Sequence, residues 1–285
     1  MTSAAQFSER RKIWRRIVRN PLHLFTLSMV ALLVLTAVFA DLLAPYGATE
    51  VVAYPFELPT GQFWLGTDSI GRDIFSRLIH GSRVSLYVGF ASTAIAVVFG
   101  VPMGVVSGYF GKLTDTIMMR ATDGLLAFPP IILAMAMVAV LGTNLRNTII
   151  AIGIVQIPRF ARLVRGMALS LKESEFITAG RALGASHVYL MQRSLLPNLT
   201  SIILVQFTLT FATAVLTEAA LSFLGLGAQP PAPSWGAMLL AGKTLVSTNP
   251  YLALGAGSAI FITVLVFTLL GDTLTDLLNP YRTDR

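Results

Sequence analysis

Residues Ser85–Val106 read SLYVGFASTAIAVVFGVPMGVV, a run without a single charged side chain. A helix needs about 20 residues to cross the hydrocarbon of a bilayer, and this run has that length. Four further runs of the same kind are Leu22–Ala40, Leu125–Leu141, Asn198–Leu216 and Tyr251–Leu270. Backbone polar groups inside lipid must be satisfied within their own segment, so apolar runs this long predict spanning helices. The chain reads as an all-α integral membrane protein, and its function lies in what crosses the bilayer or docks on it.

Composition agrees. Apolar residues make up 54% of the 285 residues, charged residues only 12%, and the mean hydropathy is +0.71. Soluble domains carry about 25% charged residues. The net charge of +7 is what basic cytoplasmic loops leave behind, and it calls for no nucleic acid. The chain has no cysteine, which removes disulfides, thiolate catalysis and Cys-ligated metals. Basic residues from Arg10 to Arg19 ahead of an apolar run resemble a signal peptide, with Val38-Phe39-Ala40 as a weak cleavage site. The run is longer than the usual apolar core of about 7–15 residues, and further spans follow, so an uncleaved first span is expected.

Charge places a sixth span. Thr148–Pro158 is too short alone, and Arg159, Arg162 and Arg165 follow it at helical spacing. With six spans and both termini inside, sixteen Lys and Arg fall inside and five outside. Deleting the fourth span would throw the basic stretch Arg159–Arg193 outside, against the charge bias that sets orientation. The three arginines are then expected at the inner end of span four, with their heads among the lipid headgroups. Inner loops fall at 109–124 and 166–197, and outer ones at 43–84, 142–147 and 226–250. Residues 1–84 make a basic tail, first span and outer segment, and 85–285 a five-span core. No loop is long enough to hold a soluble domain.

Inside the spans, Gly100, Gly104 and Gly108 form a small-xxx-small ladder that lets a neighbouring helix approach closely. Pro102 and the pair Pro129-Pro130 predict kinks or a weakened helix start. Glu218 is the acidic residue well inside an apolar stretch, either a pathway residue or a carboxylate bonded between helices or reaching the headgroups. Asp272 and Asp276 read as helix-end residues. His23, His80 and His187 show no metal-ligand spacing. Gly236–Thr244 resembles a phosphate-binding loop, but five residues rather than four separate its glycines, so it is no ATP site. No Ser-His-Asp group or paired carboxylates emerge, which disfavours a membrane-embedded enzyme.

The loop 166–197 carries the most information outside the membrane. Ser174 is placed to cap a short helix from Glu175 to Leu183, with Gly184 ending it in a left-handed turn. Ser186 is placed to cap a second helix that runs to Pro197. The first helix is small and mildly apolar, suited to a groove on a partner or to the interface.

At this point the residues resemble a family. Ala179-Gly180-x-x-x-Gly184, followed by Leu196-Pro197, resembles the cytoplasmic EAA loop of ATP-binding-cassette (ABC) importer permeases, whose coupling helix docks on the ATPase. Thr178-Ala179-Gly180 stands where the motif has Glu-Ala-Ala, Glu175 lies one turn earlier, and Ser194 replaces the usual Ile. A second stretch, Trp64-Leu-Gly66-Thr67-Asp68-x-x-Gly71-Arg72-Asp73-x-x-Ser76-Arg77 and then Gly81-Ser82-Arg83, is similar to the second permease of dipeptide, oligopeptide and nickel importers. Glu218–Gly227, Gly108–Gly111 and Gly271-Asp272 are similar to the same subunit. Within that stretch Asp73–His80 reads as a short amphipathic helix along the outer interface, ended by Gly81.

The resemblance implies a permease of a bacterial inner membrane, paired with a homologous permease and served by two cytoplasmic ATPases and an extracytoplasmic binding protein. ATP and Mg would be held by the ATPases, and no cofactor by this chain. Glu175, Thr178, Ala179, Gly180, Gly184 and Pro197 become the ATPase-coupling candidates. Cargo is expected to be di- or oligopeptides, with nickel, glutathione or another small solute as alternatives. A gradient-driven secondary transporter would show inverted repeats and more midplane carboxylates, and no internal repeat is visible.

Overall fold

The structure, a computed structural model, describes residues 17–18, 20–243, 245–246 and 249–278. The basic residues Arg10–Arg16 and Arg19, Thr244, and the C-terminal Arg282 and Arg285 lie outside the described residues. Among the described residues the chain is helical, with an isolated bridge between Thr67 and Asp73 and no strand.

Helix α1 is Pro21–Val38, capped by the Asn20 side chain on Leu22 N at 3.0 Å. Residues 44–73 then build a loop layer, and α2 runs from Ile74 to Phe110. It is followed by α3, Lys112–Leu126, and α4, Pro130–Leu141. Next come α5, Leu145–Leu171, and α6, Glu175–Ala182. A helical turn His187–Tyr189 and a π-turn Leu190–Leu195 lead into α7, Leu196–Phe223. The last two are α8, Trp235–Lys243, and α9, Tyr251–Leu278. Five stretches are long and apolar enough to cross a membrane: α1, α2, α5, the run His187–Phe223 and α9.

The third predicted span differs from expectation. Leu125–Leu141 is not one straight helix: α3 and α4 meet at 87°. The cause is Pro129-Pro130. Pro130 opens α4 at its first position, and the residue before a proline is pushed out of the helical region, as Pro129 is at ψ 128. With 12 residues α4 is only about 18 Å long, short of the roughly 30 Å of hydrocarbon.

Glycine contacts nevertheless show that the chain returns here. Gly153 of α5 packs on Ser92 and Ile95 of α2, Gly100 on Ile157 and Phe160, Gly104 on Ala161 and Val164, and Gly108 on Arg165 and Ala168. The two sets rise together, so α2 and α5 run parallel, and residues 111–144 must lead back along the bundle. A Cβ at Gly104 would stand 2.6 Å from the Ala161 carbonyl oxygen, and one at Gly108 2.7 Å from Ala168 Cβ. Backbone meets backbone along this seam. Helix α7 runs antiparallel to α2, since Ser85 meets Glu218 while Gly89 meets Phe211 and Val215.

Three other expectations are corrected. Gly81 ends no helix: α2 continues through it from the Asp73 cap, which accepts from Ser76 N at 2.8 Å. Gly81 is small because Trp235 of α8 lies against it, 3.1 Å from where a Cβ would be. Asp73–His80 is therefore the first part of a spanning helix and not a separate interfacial one. Pro197 likewise stops nothing. The π-turn carries the Leu196 N–H to the Met191 carbonyl, and Pro197 enters in the first turn of α7, where a missing N–H costs no bond. Finally, α5 passes through Pro158 and reaches Leu171, so Arg159 lies at mid-length and not at a helix end.

The bundle thus has two ends. At the loop end are residues 44–73, the start of α2, α8 and the C-terminus of α7. At the opposite end are α3, α6 and the π-turn. Arg83 joins α1 to α2 at the loop end: its guanidinium donates to the carbonyls of Ala37 and Val38 at 2.6 and 2.9 Å and pairs with Asp41 at 2.8 Å. These are the free carbonyls of the last turn of α1.

Candidate functional site

Helix α6 is a short projecting element held from beneath. Its one fully buried side chain, Ile177, lies among Tyr109, Ala168, Leu190 and Leu195. Gly180 rests on Leu190, leaving 2.8 Å between Leu190 Cδ2 and the place of a Cβ. The C-terminus closes in a Schellman turn: Ala185 N–H donates to Gly180 O and Gly184 N–H to Arg181 O, both at 3.0 Å, with Gly184 at φ +80°. Ser174 occupies the N-cap position, yet its hydroxyl donates back to Leu171 O at 2.5 Å and caps nothing. Ser186 does cap its turn, accepting from Tyr189 N at 3.3 Å.

Tyr109, at the end of α2, is the hub beneath this helix. Its ring lies 5.2 Å under the Arg181 guanidinium, and its hydroxyl bonds His187 Nδ1 at 2.8 Å. A rotation of α6 therefore meets the end of α2 directly. On the outward side, Glu175, Phe176, Thr178, Ala179, Leu183 and Gly184 are exposed. Leu183 is 88% exposed and Phe176 47%, which leaves an apolar edge on an element that its own chain does not cover. Pro197 is exposed at the start of α7, apart from this face.

Next to α6, α3 is pinned to α5 by charge. Asp115 accepts from Arg165 Nη2 at 2.6 Å and also from Arg165 Nε and Ser107, and Asp123 accepts from Arg162 Nη2 at 2.6 Å. Arg162 and Arg165, expected among the headgroups at the inner end of span four, each pair with a carboxylate of α3. Asp115 and Asp123, two helical turns apart, were the available signal. A double-mutant cycle on Asp115→Asn and Arg165→Gln, read by thermal unfolding of the purified protein, is expected to give a coupling of about 1–3 kcal/mol. Additive losses would mean that α3 is held otherwise.

The loop end carries a second polar cluster. Glu218 is fully buried, accepting from Ser222 Oγ at 2.7 Å and Ser85 Oγ at 3.4 Å, with the Ser234 hydroxyl also bonded to it. Ser222 Oγ accepts in turn from Ala228 N at 3.1 Å, and Ser85 Oγ from Trp235 N at 3.3 Å. The carboxylate therefore joins α2, α7 and the segment leading into α8, and it does not reach outward. Ser222 was legible at i+4 from Glu218; Ser85 and Ser234 were not. The glycines of the Gly236–Thr244 stretch, read as no ATP site, lie at the two ends of α8, with Gly236 against Ala219 and Gly242 against Ala253.

The motif Trp64–Arg77 folds as a unit around Asp68, which accepts from Ile70 N, Arg72 N and Arg72 Nε at 3.0, 3.1 and 2.7 Å. Gly66 and Gly71 have φ +77° and +82°, and a Cβ on either would strike a carbonyl oxygen of residues 53–57 at about 2 Å. Side chains of Tyr54 and Trp64 project from this layer.

The chain can be set beside known proteins. Residues 100–283 match the family model described as binding-protein-dependent transport system inner membrane component. Residues 8–58 match the N-terminal transmembrane domain of oligopeptide transport permease C. A glutathione transport system permease protein of Pectobacterium atrosepticum is 43% identical over 272 residues, 95% of this chain and 90% of that protein. A dipeptide transport system permease protein of Alkalihalophilus pseudofirmus is 42% identical over 271 residues, covering 95% and 89%. Among solved structures, a chain of the MetNI methionine ABC transporter in an inward-facing form aligns with a TM-score of 0.60 at 21% identity. It covers 72% of this chain and 98% of that one, a likeness of fold.

Proposed function

The chain belongs to the family of binding-protein-dependent transport system inner membrane components, and on that premise we propose that it is one of two permeases in an ABC importer of short peptides. The observation that carries the cargo is the identity of 42–43% across 95% of the chain to permeases named for dipeptide and glutathione transport. Glutathione is itself a small peptide, so both names describe one chemical class. The partners are a homologous permease, two cytoplasmic ATPases that hold ATP and Mg, and an extracytoplasmic binding protein.

Six crossings, with the bent pair α3–α4 as the third, put both termini on the cytoplasmic side. The parallel course of α2 and α5 supports this reading. So do Lys112, Arg120, Lys172, Arg181 and Arg193, which gather at the α6 end, in keeping with positive charge inside. Helix α6 then faces the ATPases, with Glu175, Thr178, Ala179 and Gly184 on its docking side and Gly180 seating it on Leu190. Pro197 begins the span that follows. Gly100, Gly104 and Gly108 keep α2 and α5 moving as one body, and Glu218 ties that body to α7 near the outer face.

In this mechanism nucleotide closes the ATPases, α6 is displaced, and Ile177 and Tyr109 pass the movement to the end of α2. The helix bundle changes between outward- and inward-facing packings. Nucleotide can do this only by binding one packing more tightly than the other.

The test is uptake of labelled dipeptide and of glutathione in cells lacking this chain, with and without its restoration. Uptake should fall, recover on complementation, cease on ATP depletion and survive collapse of the ion gradient. Recovery that follows the gradient instead would replace the importer with a secondary transporter. Unchanged uptake of both peptides, in cells without a redundant system, would move the cargo to another small solute.

A further inference from the structure

Arg159 has no role in the seating of α6 or the pinning of α3. Two glycine contacts fix its depth. Gly100 packs on Phe160, the next residue, while Gly89 packs on Phe211 and Val215, which bracket Thr213. Both glycines belong to the charge-free run Ser85–Val106, and Arg159 Nη1 reaches Thr213 Oγ1 at 3.4 Å. The guanidinium therefore lies deep within the apolar slab. It is also exposed, on the surface of the bundle and not between helices. Arg162 and Arg165 have Asp123 and Asp115; among the described residues no carboxylate pairs with Arg159.

Its surroundings are polar. Thr213 Oγ1 accepts from Gln156 Nε2 at 3.0 Å and donates to Thr210 O at 2.9 Å, so its capacity is largely committed and its bond to Arg159 is the long one. Gln206, Thr210, Thr213 and Thr217 share one side of α7, with Gln206 Nε2 donating to Thr210 Oγ1 at 3.0 Å. A cation on a polar helix face at this depth belongs beside a water-filled passage, because lipid cannot solvate it.

We propose that Arg159 receives the carboxylate of the cargo on its way through the membrane, with Gln156 and Thr213 holding the helices on either side of it. A guanidinium offers five donors in a planar fork that fits a carboxylate, and here those donors are almost unused. The inference rests on the peptide reading: a free C-terminal carboxylate is the group that dipeptides and glutathione share, and the charge selects it over the amino end.

The experiment uses the complete importer in proteoliposomes, with a labelled dipeptide and its C-terminal amide at saturating concentration. Capture by the binding protein then affects KM, and the permease affects the maximal rate. For Arg159→Gln the maximal rate with the acid is expected to fall about tenfold, to the rate of the amide, with KM and the amount of protein in the membrane unchanged. Arg159→Lys should restore part of the preference for the acid. A glutamine variant that still prefers the acid as strongly as wild type overturns the inference. So does an equal loss for acid and amide, which would make Arg159 a residue that supports the passage without contacting the cargo carboxylate. If the wild-type importer carries neither dipeptide nor glutathione, the peptide reading fails and the inference with it.

Discussion

Gly104→Leu is expected to remove the protein from the membrane altogether. A Cβ at this position would meet the Ala161 carbonyl oxygen at 2.6 Å and Val164 Cβ at 2.8 Å, and the first obstacle is backbone that cannot rotate away. The seam must open, and opening it separates α2 from α5 along a contact that runs from Gly153 to Gly108. Helices in lipid are held by close packing and not by exclusion of water, so the lost contact has no substitute. Overpacking costs about 1–3 kcal/mol where side chains can shift; against backbone, with a whole leucine to place, the cost exceeds that range and reaches the total stability of about 5–15 kcal/mol. Gly166→Ala is the control, since no atom lies within 4 Å of a Cβ there. Immunoblots of washed membranes should show the alanine variant at wild-type level and little or none of the leucine variant. Normal accumulation of Gly104→Leu would mean that α2 and α5 do not depend on this approach.

The second large effect concerns activity without loss of protein. Gly184 stands at φ +80°, and a Cβ there meets no atom within 4 Å, so a tryptophan can leave the turn without an immediate clash at its first carbon. The backbone penalty of a non-glycine residue in that conformation is about 1–2 kcal/mol, tolerable for an exposed turn. Its indole would extend from the exposed side of α6 that is proposed to meet the ATPases, next to Leu183. Uptake by Gly184→Trp is expected to fall at least tenfold, roughly the loss of one well-placed contact, while the permease remains in the membrane and ATP hydrolysis no longer tracks transport. Transport at the wild-type rate would sink the assignment of α6 as the coupling element. The two glycine variants thus fail differently: one is missing, the other is present and uncoupled.

Apolar length made most of the fold readable, because a charge-free run of span length has few other solutions. Where reading failed, the deciding contact lay far away in sequence. Gly81 read as a helix end because glycine often is one, but its neighbour Trp235 is more than 150 residues distant. Pro197 read as a stop because the π-turn that absorbs it has no signature in the residues themselves. The bend at Pro129-Pro130 was foreseen as a kink, though not as an angle large enough to divide a span. The Schellman turn at Gly184 was legible because its signal is local. At Glu218 the carboxylate stood out and Ser222 was within reach of inspection, but Ser85 and Ser234 come together with it only once α2, α7 and α8 have packed.

The parallel seam has a consequence for biosynthesis. Gly100 leaves the ribosome about sixty residues before the α5 residues that cover it, Ile157 and Phe160. At about 5–20 residues per second, α2 waits some 3–12 seconds in the membrane with its glycine groove uncovered. During that interval α3 and α4 are made and must turn back past the open groove before its partner exists. A newborn chain in this state needs lipid, an insertion factor or another permease to occupy the groove for a time. Slow synthesis over residues 111–150 would lengthen the wait, and quality-control proteases would then meet the unfinished helix first.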